Sequence, residues 1–594
     1  MCGIVGAFGT RLPERDTFQK ALDTLAHRGP DGEGVFASPT CLLGHRRLAI
    51  IDLSTGAQPM RSHDGRYVIT FNGEIYNYRE LKRELENDYP FTTTSDTEVI
   101  LAGYAAWGSA VLGRLEGMFA FAVYDTKQQE LFLARDPFGI KPLIYGIAQG
   151  AFFFGSEIKA LRALGVFDGG IDEARIPEFF MLKHIPAPHT IYRDIKKLPA
   201  GHYMAARVRG QLVEVDEPMS YWRPDASLRA QRSNLMRLLR HPDDVGTPRN
   251  DIMRQWLLDS VKAHLVSDVP VGAFLSGGID SSAIVWAMSQ FTRPKTFTVS
   301  FKEVHDPDVE YARLVAKQFN TDHTEILLDL DLNAVFSSVI RQFDEPFADP
   351  ATLTNWYVAK ATSEHVKVAL SGDGGDELFF GYRAYRAIGR WTPLASLFPW
   401  WDATRFIASR YFGYNRRVQK VFKHRGRFVP PFNGLSAYHD LHLAARTMDL
   451  EYTLPEYYLR KVDGVSMMNS LEVRVPYLDR AFVEKILPFP VEAHYDRRHN
   501  GKALLRQAMA GVLPREVLER QKQGFIRPWK TLFAGSMRDF LRERLLSSAM
   551  RDSGWFNMDN IQFLLLDHVE GRRDNSNILW RLFVFAEWLE GQYE

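Results

Sequence analysis

A chain of 594 residues is too long for one hydrophobic core and must divide into domains. Its 73 Lys and Arg offset 72 Asp and Glu, so a formal net charge of +1 offers no field to recruit nucleic acid, and 45% hydrophobic with 24% charged residues excludes a disordered chain. Two cysteines, Cys2 and Cys41, cannot frame a disulfide fold; with no basic region before the first apolar stretch and no apolar run of about 18 residues, the chain reads as cytoplasmic, without a transmembrane segment.

From Ile4 to about Met204, short β-like runs are broken by Gly, Asn and Asp. They fall at Cys41–Gly44, Tyr67–Phe71, Met118–Tyr124, Leu131–Ala134, Leu143–Tyr145 and Phe152–Phe154, with helical patterns at Thr17–Ala26 and Thr97–Trp107. Hairpin strands with few helices between them predict an α+β sandwich. Residues 216–250 are polar and carry Pro218, Pro224, Pro242 and Pro248, the expected linker.

The pattern then changes. Helix Ile252–Leu265, strand Val271–Leu275, helix Ser282–Gln290, strand Thr296–Phe301, helix Tyr311–Phe319 and strand Thr324–Leu328 alternate, followed by helices Leu332–Gln342 and Leu353–Glu364 and strand Val366–Leu370. Such alternation predicts an α/β doubly wound parallel sheet, with a mostly helical C-terminal part beyond Tyr382. The domains are therefore expected at 1–215 and 251–594. In the stretch from Trp391 to Arg427, aromatics followed by cations read as a helical core with solvated charges rather than a membrane-docking face.

Two clusters carry chemistry. Removal of Met1 would leave Cys2 with a thiol and a free α-amine on one carbon, a nucleophile beside its own base. Hydrolysing a primary amide through a thioester needs donors for the tetrahedral oxyanion, which the Asn72 side chain and the Gly73 N–H can supply. Asp96 and Arg47 match the ammonium and carboxylate of a free amino acid.

The second cluster is the loop Ser276-Gly277-Gly278-Ile279-Asp280-Ser281-Ser282, set between a predicted strand and helix. Glycines admit a phosphate to the backbone N–H groups, serines add donors, and the helix start favours an anion. No Gly-Lys-Ser/Thr follows, so the loop suits a leaving pyrophosphate rather than γ-phosphate transfer. Asp280, repulsive to phosphate, makes sense as a Mg²⁺ ligand. Ser371-Gly372-Asp373-Gly374-Gly375-Asp376-Glu377-Leu378 follows another strand and supplies Asp376 as a second Mg²⁺ carboxylate. Downstream, Arg520-Gln521-Lys522 adds a cation to steady the transferring phosphate.

With these residues in view, positions 1–200 resemble the class II (N-terminal nucleophile) glutamine amidotransferases. The motifs are Cys2-Gly3-Ile4-Val5-Gly6, His27-Arg28-Gly29-Pro30-Asp31, Asn72-Gly73-Glu74-Ile75-Tyr76-Asn77, Ser95-Asp96-Thr97-Glu98 and Arg135-Asp136-Pro137-Phe138-Gly139. The resemblance implies an αββα sandwich, Cys2 as nucleophile, Asn72 and Gly73 as oxyanion hole, and Arg47, Glu74 and Asp96 as glutamine ligands. The second half resembles the asparagine synthetase family, whose C-terminal domain is a pyrophosphate-loop ATP-binding fold. Met1 to about Leu532 is covered.

That resemblance implies ATP and Mg²⁺ as cofactors, with Leu275, Ser276, Gly277, Gly278, Asp280, Ser281, Ser282, Val299, Ser371 and Gly372 at the nucleotide. It further implies Lys522 as catalytic lysine, Tyr382 and Glu472 acting together as base, and Asp373 and Asp376 at the acceptor. Aspartate is the expected acceptor, with another carboxylate such as a uronic acid as the alternative and a non-catalytic glutamine or ATP sensor as the remote one. The chain departs from the family pattern in carrying Asp373 for a usual glutamate and Phe380 for a usual glycine, and in lacking an arginine between Asp344 and Pro350. Asp373, Asp349 and Glu345 are expected to make the acceptor pocket acidic. The expected partners are small molecules (glutamine, ATP and aspartate or another carboxylate) and no nucleic acid, with the oligomeric state open and a homodimer as the candidate.

Overall fold

The computed structural model describes residues 2–224, 248–301, 308–328, 331–389, 416–423, 440–494, 501–520 and 529–592. The first half contributes thirteen strands: β1 (Gly3–Phe8), β2 (Gly32–Ala37), β3 (Cys41–Arg47), β4 (Met60–Arg61), β5 (Tyr67–Ile75), β6 (Gly117–Asp125), β7 (Glu130–Arg135), β8 (Ile144–Ala148), β9 (Ala151–Gly155), β10 (Ile195–Lys197), β11 (His202–Arg209), β12 (Leu212–Val215) and β13 (Met219–Ser220). They form two antiparallel sheets, ordered β10-β8-β9-β1-β3-β2 and β12-β11-β7-β6-β5-β4, with β13 on β11.

Alternation along the strands builds the layers. Ile4, Phe8 and Leu43 from one sheet meet Val68, Ala120, Leu131 and Leu133 from the other in a dry core. The opposite residues of β1, Val5 and Ala7, bury Phe18, Ala21 and Leu22 of helix Arg15–Asp23. On the far face, Ile69 and Phe71 of β5 pack with Val99 and Ile100 of helix Asp96–Trp107. The result is the expected αββα sandwich. Within the stretch read as a linker, Met219–Ser220 pair with β11, Trp222 is buried and donates to Glu484 at 2.9 Å, and helix Pro248–His264 takes up the last residues.

The second half holds a parallel sheet: β14 (Val271–Phe274), β15 (Lys295–Phe301), β16 (Asp322–Leu328), β17 (Val368–Leu370) and β18 (Glu472–Arg474), ordered β16-β15-β14-β17-β18. The chain moves outward from β14 to β16, then returns to the other side of β14 for β17. This reversal opens a crevice beyond the carboxyl ends of β14 and β17, where such sheets take ligands.

Helix Ser576–Glu590 is buried on nearly every face and packs against both halves. Phe585 lies 5.9 Å from Phe179 of the first half, and Phe583 stacks on Phe336 of the second at 4.0 Å. The halves are therefore joined through a shared apolar cluster. Among the described residues no helix is long and apolar enough to cross a membrane.

Of the aromatic–basic stretch, residues 416–423 are described, and Phe422 stacks on Phe556 at 5.8 Å; the rest lies outside the described residues.

Candidate active sites

The first site sits where β1 and β5 begin and end. Cys2, 7% exposed, donates its backbone N–H to Asn72 Oδ1 at 2.9 Å. That bond fixes the amide's orientation: the oxygen faces Cys2, and Nδ2 is left buried without a hydrogen-bond partner. An orphaned buried donor costs roughly 1–3 kcal/mol, and it stands beside the nucleophile. At Gly73, with φ at 156°, a Cβ would come 2.0 Å from the Met118 carbonyl oxygen, so glycine alone lets β5 continue its pairing with β6 here. Burial pushes the Cys2 thiol above its ordinary range.

The glutamine-ligand candidates converge around this point. Asp96 opens the helix capped by Ser95 and accepts from the Ile75 N–H at 3.0 Å; burial pushes its carboxyl up to about 6. Glu74 is buried, and desolvation with neighbouring Glu472 holds its carboxyl well above the usual range. Arg47 donates to the Asp52 carbonyl at 2.5 Å and the Ile51 carbonyl at 3.2 Å, gripping the loop after β3.

The second half completes this site. Arg474 of β18 donates from Nε to Glu472 at 2.6 Å, and its Nη2 lies 3.6 Å from Glu74. Arg28 binds three partners: the Cys2 carbonyl at 3.0 Å, Glu157 at 2.8 Å and Asp463 of the second half at 2.9 Å. Asp463 lies on helix Arg460–Met467, whose Lys461 reaches Asp349 at 3.3 Å on the far side. β18 alternates likewise: Glu472 and Arg474 face the first site, and Val473 lines the second.

The second site is a cavity of about 660 Å³ at the crevice. Leu275, Ser276, Gly278, Asp280, Ser281, Val299, Ser371, Gly372, Asp373, Asp376 and Tyr382 all line it. Gly277 and Ser282 do not: Gly277 holds the turn at φ 66°, where a Cβ would come 2.6 Å from Tyr311 Cβ, and Ser282 is fully buried in the helix behind. The loop closes on itself through Ser276 and Ser281, whose hydroxyls are 3.0 Å apart, while helix Ile279–Ser289 points its N-terminus at the cavity. Gly372 packs against Asp280 so closely that an added Cβ would sit 3.0 Å from the aspartate's own.

Asp280 and Asp376 converge on Lys502, which binds Asp280 and lies 2.6 Å from Asp376 Oδ1. Asp280 Oδ1 has no hydrogen-bond partner. Two carboxylates with a spare oxygen fit Mg²⁺, which takes one or two carboxylates and completes its shell from phosphates and water. Among the described residues no group of three or more His, Cys, Asp or Glu side chains forms a metal cage, so the remaining ligands would come from the nucleotide.

Other expected pairings differ. The Tyr382 hydroxyl donates to Glu377 Oε1 at 2.5 Å, while Glu472 sits against Arg474 on the other side of β18. Burial pushes the Glu377 carboxyl up to about 8. Glu345, expected in the acceptor pocket, is instead fully buried between Lys197 at 2.6 Å and Arg460 at 3.1 Å, where it ties the halves together. Lys522 lies outside the described residues. Sequence reading assigns no role to Lys502, Glu377, Lys461 or Lys183; Glu377 stands within the second glycine-rich loop and Lys502 in a Gly-Lys just before helix Ala503–Met509, while Lys461 and Lys183 carry no local signal.

The family model for asparagine synthase matches residues 253–590, more than half of the chain. The chain belongs to that family. Residues 1–222 match the model for a glutamine amidotransferase domain. This asparagine synthase family member is 33% identical to glutamine-hydrolyzing asparagine synthetase 1 of Bacillus subtilis over 99% of this chain and 96% of the relative. It is 34% identical to a putative glutamine-hydrolyzing asparagine synthetase of Mycobacterium bovis, over 99% and 97%. With the glutamine-hydrolyzing asparagine synthetase B of Escherichia coli the identity is 28%, over 88% and 82%.

Proposed function

We propose that this glutamine-dependent ligase hydrolyses glutamine at Cys2 and uses the ammonia to amidate a carboxylate activated by ATP, with aspartate as acceptor and asparagine as product. What supports the two-site reading most is the shared wall: β18 and helix Arg460–Met467 each present side chains to both sites. The cytoplasm is the expected setting.

At the first site the Cys2 nitrogen, an α-amine once Met1 is removed, takes the thiol proton, and the sulfur adds to the glutamine carboxamide carbon. Asn72 Nδ2 and the Gly73 N–H take the charge that develops on oxygen. The C–N bond breaks, ammonia leaves, and water releases glutamate from the thioester.

At the second site the acceptor carboxylate oxygen attacks the α-phosphorus of ATP, and pyrophosphate leaves into the Ser276–Ser281 loop. Asp280 and Asp376 would hold Mg²⁺, which neutralises phosphate charge. Lys502, already between those carboxylates, is the cation placed to follow the phosphate charge as it moves. Ammonia then adds to the acyl carbon and AMP leaves. Glu377, with its raised carboxyl and the Tyr382 hydroxyl as partner, is the group to accept the proton that ammonia sheds.

A second acceptor class has one observation in its favour. Tyr382 and Tyr458 stack at 5.7 Å on the acceptor side of the cavity, a flat face on which the ring of a uronic acid can lie. Pyrophosphate release across a panel of carboxylates, with ammonium saturating, decides between them. Aspartate should raise release well above background; a uronic acid that does so while aspartate does not overturns the asparagine reading and leaves the two-site ligase.

A further inference from the structure

Aspartate as acceptor needs a second cation. Aspartate offers one carboxylate for activation and keeps a second, and residues 344–350 contain no arginine to meet it. Among the described residues, the amidotransferase half contributes one cation to the lining of the cavity, Lys183. We propose that Lys183, carried by the amidotransferase half, is a specificity-determining residue whose ammonium pairs with the acceptor carboxylate that is not activated. The proposal rests on the aspartate reading, in which that group is the α-carboxylate.

Lys183 caps helix Arg175–Leu182 in the left-handed conformation, at φ 71° and ψ 1°. Glycine is the usual residue at such a cap, since a Cβ is strained there. Its backbone is tied on both sides: its N–H donates to the Phe179 carbonyl at 2.6 Å, and its own carbonyl accepts from the Ala348 N–H at 2.8 Å. The second bond crosses from one half to the other and holds Lys183 at the cavity, which Asp349, Asp373, Tyr457 and Lys461 also line. A strained backbone that delivers a long cationic side chain to a ligand cavity is an expensive way to fill space and an economical way to place a charge.

The charges around it are unequal. Among the described residues, Lys461 is paired with Asp349, Lys502 with Asp280 and Asp376, and Arg520 with Asp308. Among the described residues Lys183 makes no such ion pair. Asp349, whose charge favours the ammonium, already holds Lys461, while burial and the neighbouring Arg581 disfavour it and bring its pKa down to about 8. A half-buried ammonium short of a counter-charge, facing a cavity, fits an anion supplied by the ligand. Asp373 also lines the cavity; it accepts from the Ser371 hydroxyl and makes no ion pair among the described residues, so its carboxylate charge is the complement for the acceptor's own ammonium.

The test compares wild type with Lys183→Gly, which relieves the left-handed cap and so protects folding, and with Lys183→Arg, which keeps a cation. Pyrophosphate release is measured at saturating ammonium and ATP against aspartate and against β-alanine, which is aspartate without its α-carboxylate. Loss of a charge-assisted hydrogen bond should raise the aspartate KM about 10- to 100-fold in Lys183→Gly. The β-alanine KM, the ATP KM and glutamine hydrolysis should not move, and Lys183→Arg should recover part of the loss.

An unchanged aspartate KM in Lys183→Gly overturns the proposal. So does an equal loss for aspartate and β-alanine, which would mark a merely structural role. If wild type ignores aspartate, the acceptor reading has failed by itself. The same comparison is then run on whichever carboxylate of the panel wild type does use, paired with its analogue lacking the second anionic group. A selective KM rise for the doubly anionic acceptor upholds Lys183, and an unchanged KM refutes it.

Discussion

Replacing Asn72 by alanine separates catalysis from stability. In the folded protein Asn72 accepts one hydrogen bond, from the Cys2 N–H at 2.9 Å, and carries one buried donor, Nδ2, with no partner. Losing the first orphans the buried Cys2 N–H at a cost of about 1–3 kcal/mol, and removing an unpaired buried amide returns about 1–3 kcal/mol. The small cavity left behind works against that gain, so the two nearly cancel. The rate should not cancel. Nδ2 finds its partner only when the carbonyl oxygen of glutamine becomes an oxyanion, and deleting one such donor costs about 10²–10³ in kcat, or roughly 2.7–4 kcal/mol. Glutamate release, thermal unfolding and ammonium-dependent pyrophosphate release, measured on the same preparation, distinguish the effects. Glutamate release should collapse while the melting temperature shifts little and the ammonium reaction is preserved. A loss of less than about tenfold in glutamate release would remove Asn72 from the oxyanion hole, and a parallel fall in the ammonium reaction would show that the substitution damages the fold.

Asp280→Asn and Asp376→Asn should each abolish Mg²⁺-dependent pyrophosphate release while glutamate release persists; Lys502→Met should lower the rate about 10²–10³-fold, and normal synthesis in that variant would move the phosphate cation elsewhere. Acidification should weaken glutamine binding earlier than an ordinary aspartate allows. Burial raises Asp96 to about 6, and only its ionised form attracts the glutamine ammonium, so the glutamine KM should climb as pH falls through about 6 and level off above it. In Asp96→Asn that inflection should vanish; a wild-type KM flat from pH 5 to 8 would take Asp96 out of the glutamine site.

Much of the architecture was legible because its causes are local. Alternating apolar residues mark each strand's buried faces, and the Gly-rich turns after Leu275 and Leu370 mark where a parallel sheet exposes its ligand edge. Cys2, Asn72-Gly73 and the two phosphate-type loops could be read for the same reason: each depends on neighbours within a few residues. β18 could not be read, since three residues carry no period, yet it sets Glu472 and Arg474 against Glu74 nearly four hundred positions earlier. Nor could the partners of charged groups. Glu345 carries the same charge wherever it sits, and only packing decides that it meets Lys197 and Arg460 instead of a ligand. Tyr382 takes Glu377, five residues away, because helix Gly375–Leu378 and the turn after it bring them together, while β17 pairing sends Glu472 to the other side of the wall. Phe380, which replaces a usual glycine, shows the same division: the substitution is visible in the chain, but its left-handed φ of 57° and its burial between Tyr385 and His494 appear only in three dimensions. Residue type and short-range spacing thus declared the two chemistries. Which charges meet across the interface, and that Lys183 enters a cavity built by the other half, depended on long-range burial and Coulomb interactions that no local window of sequence contains.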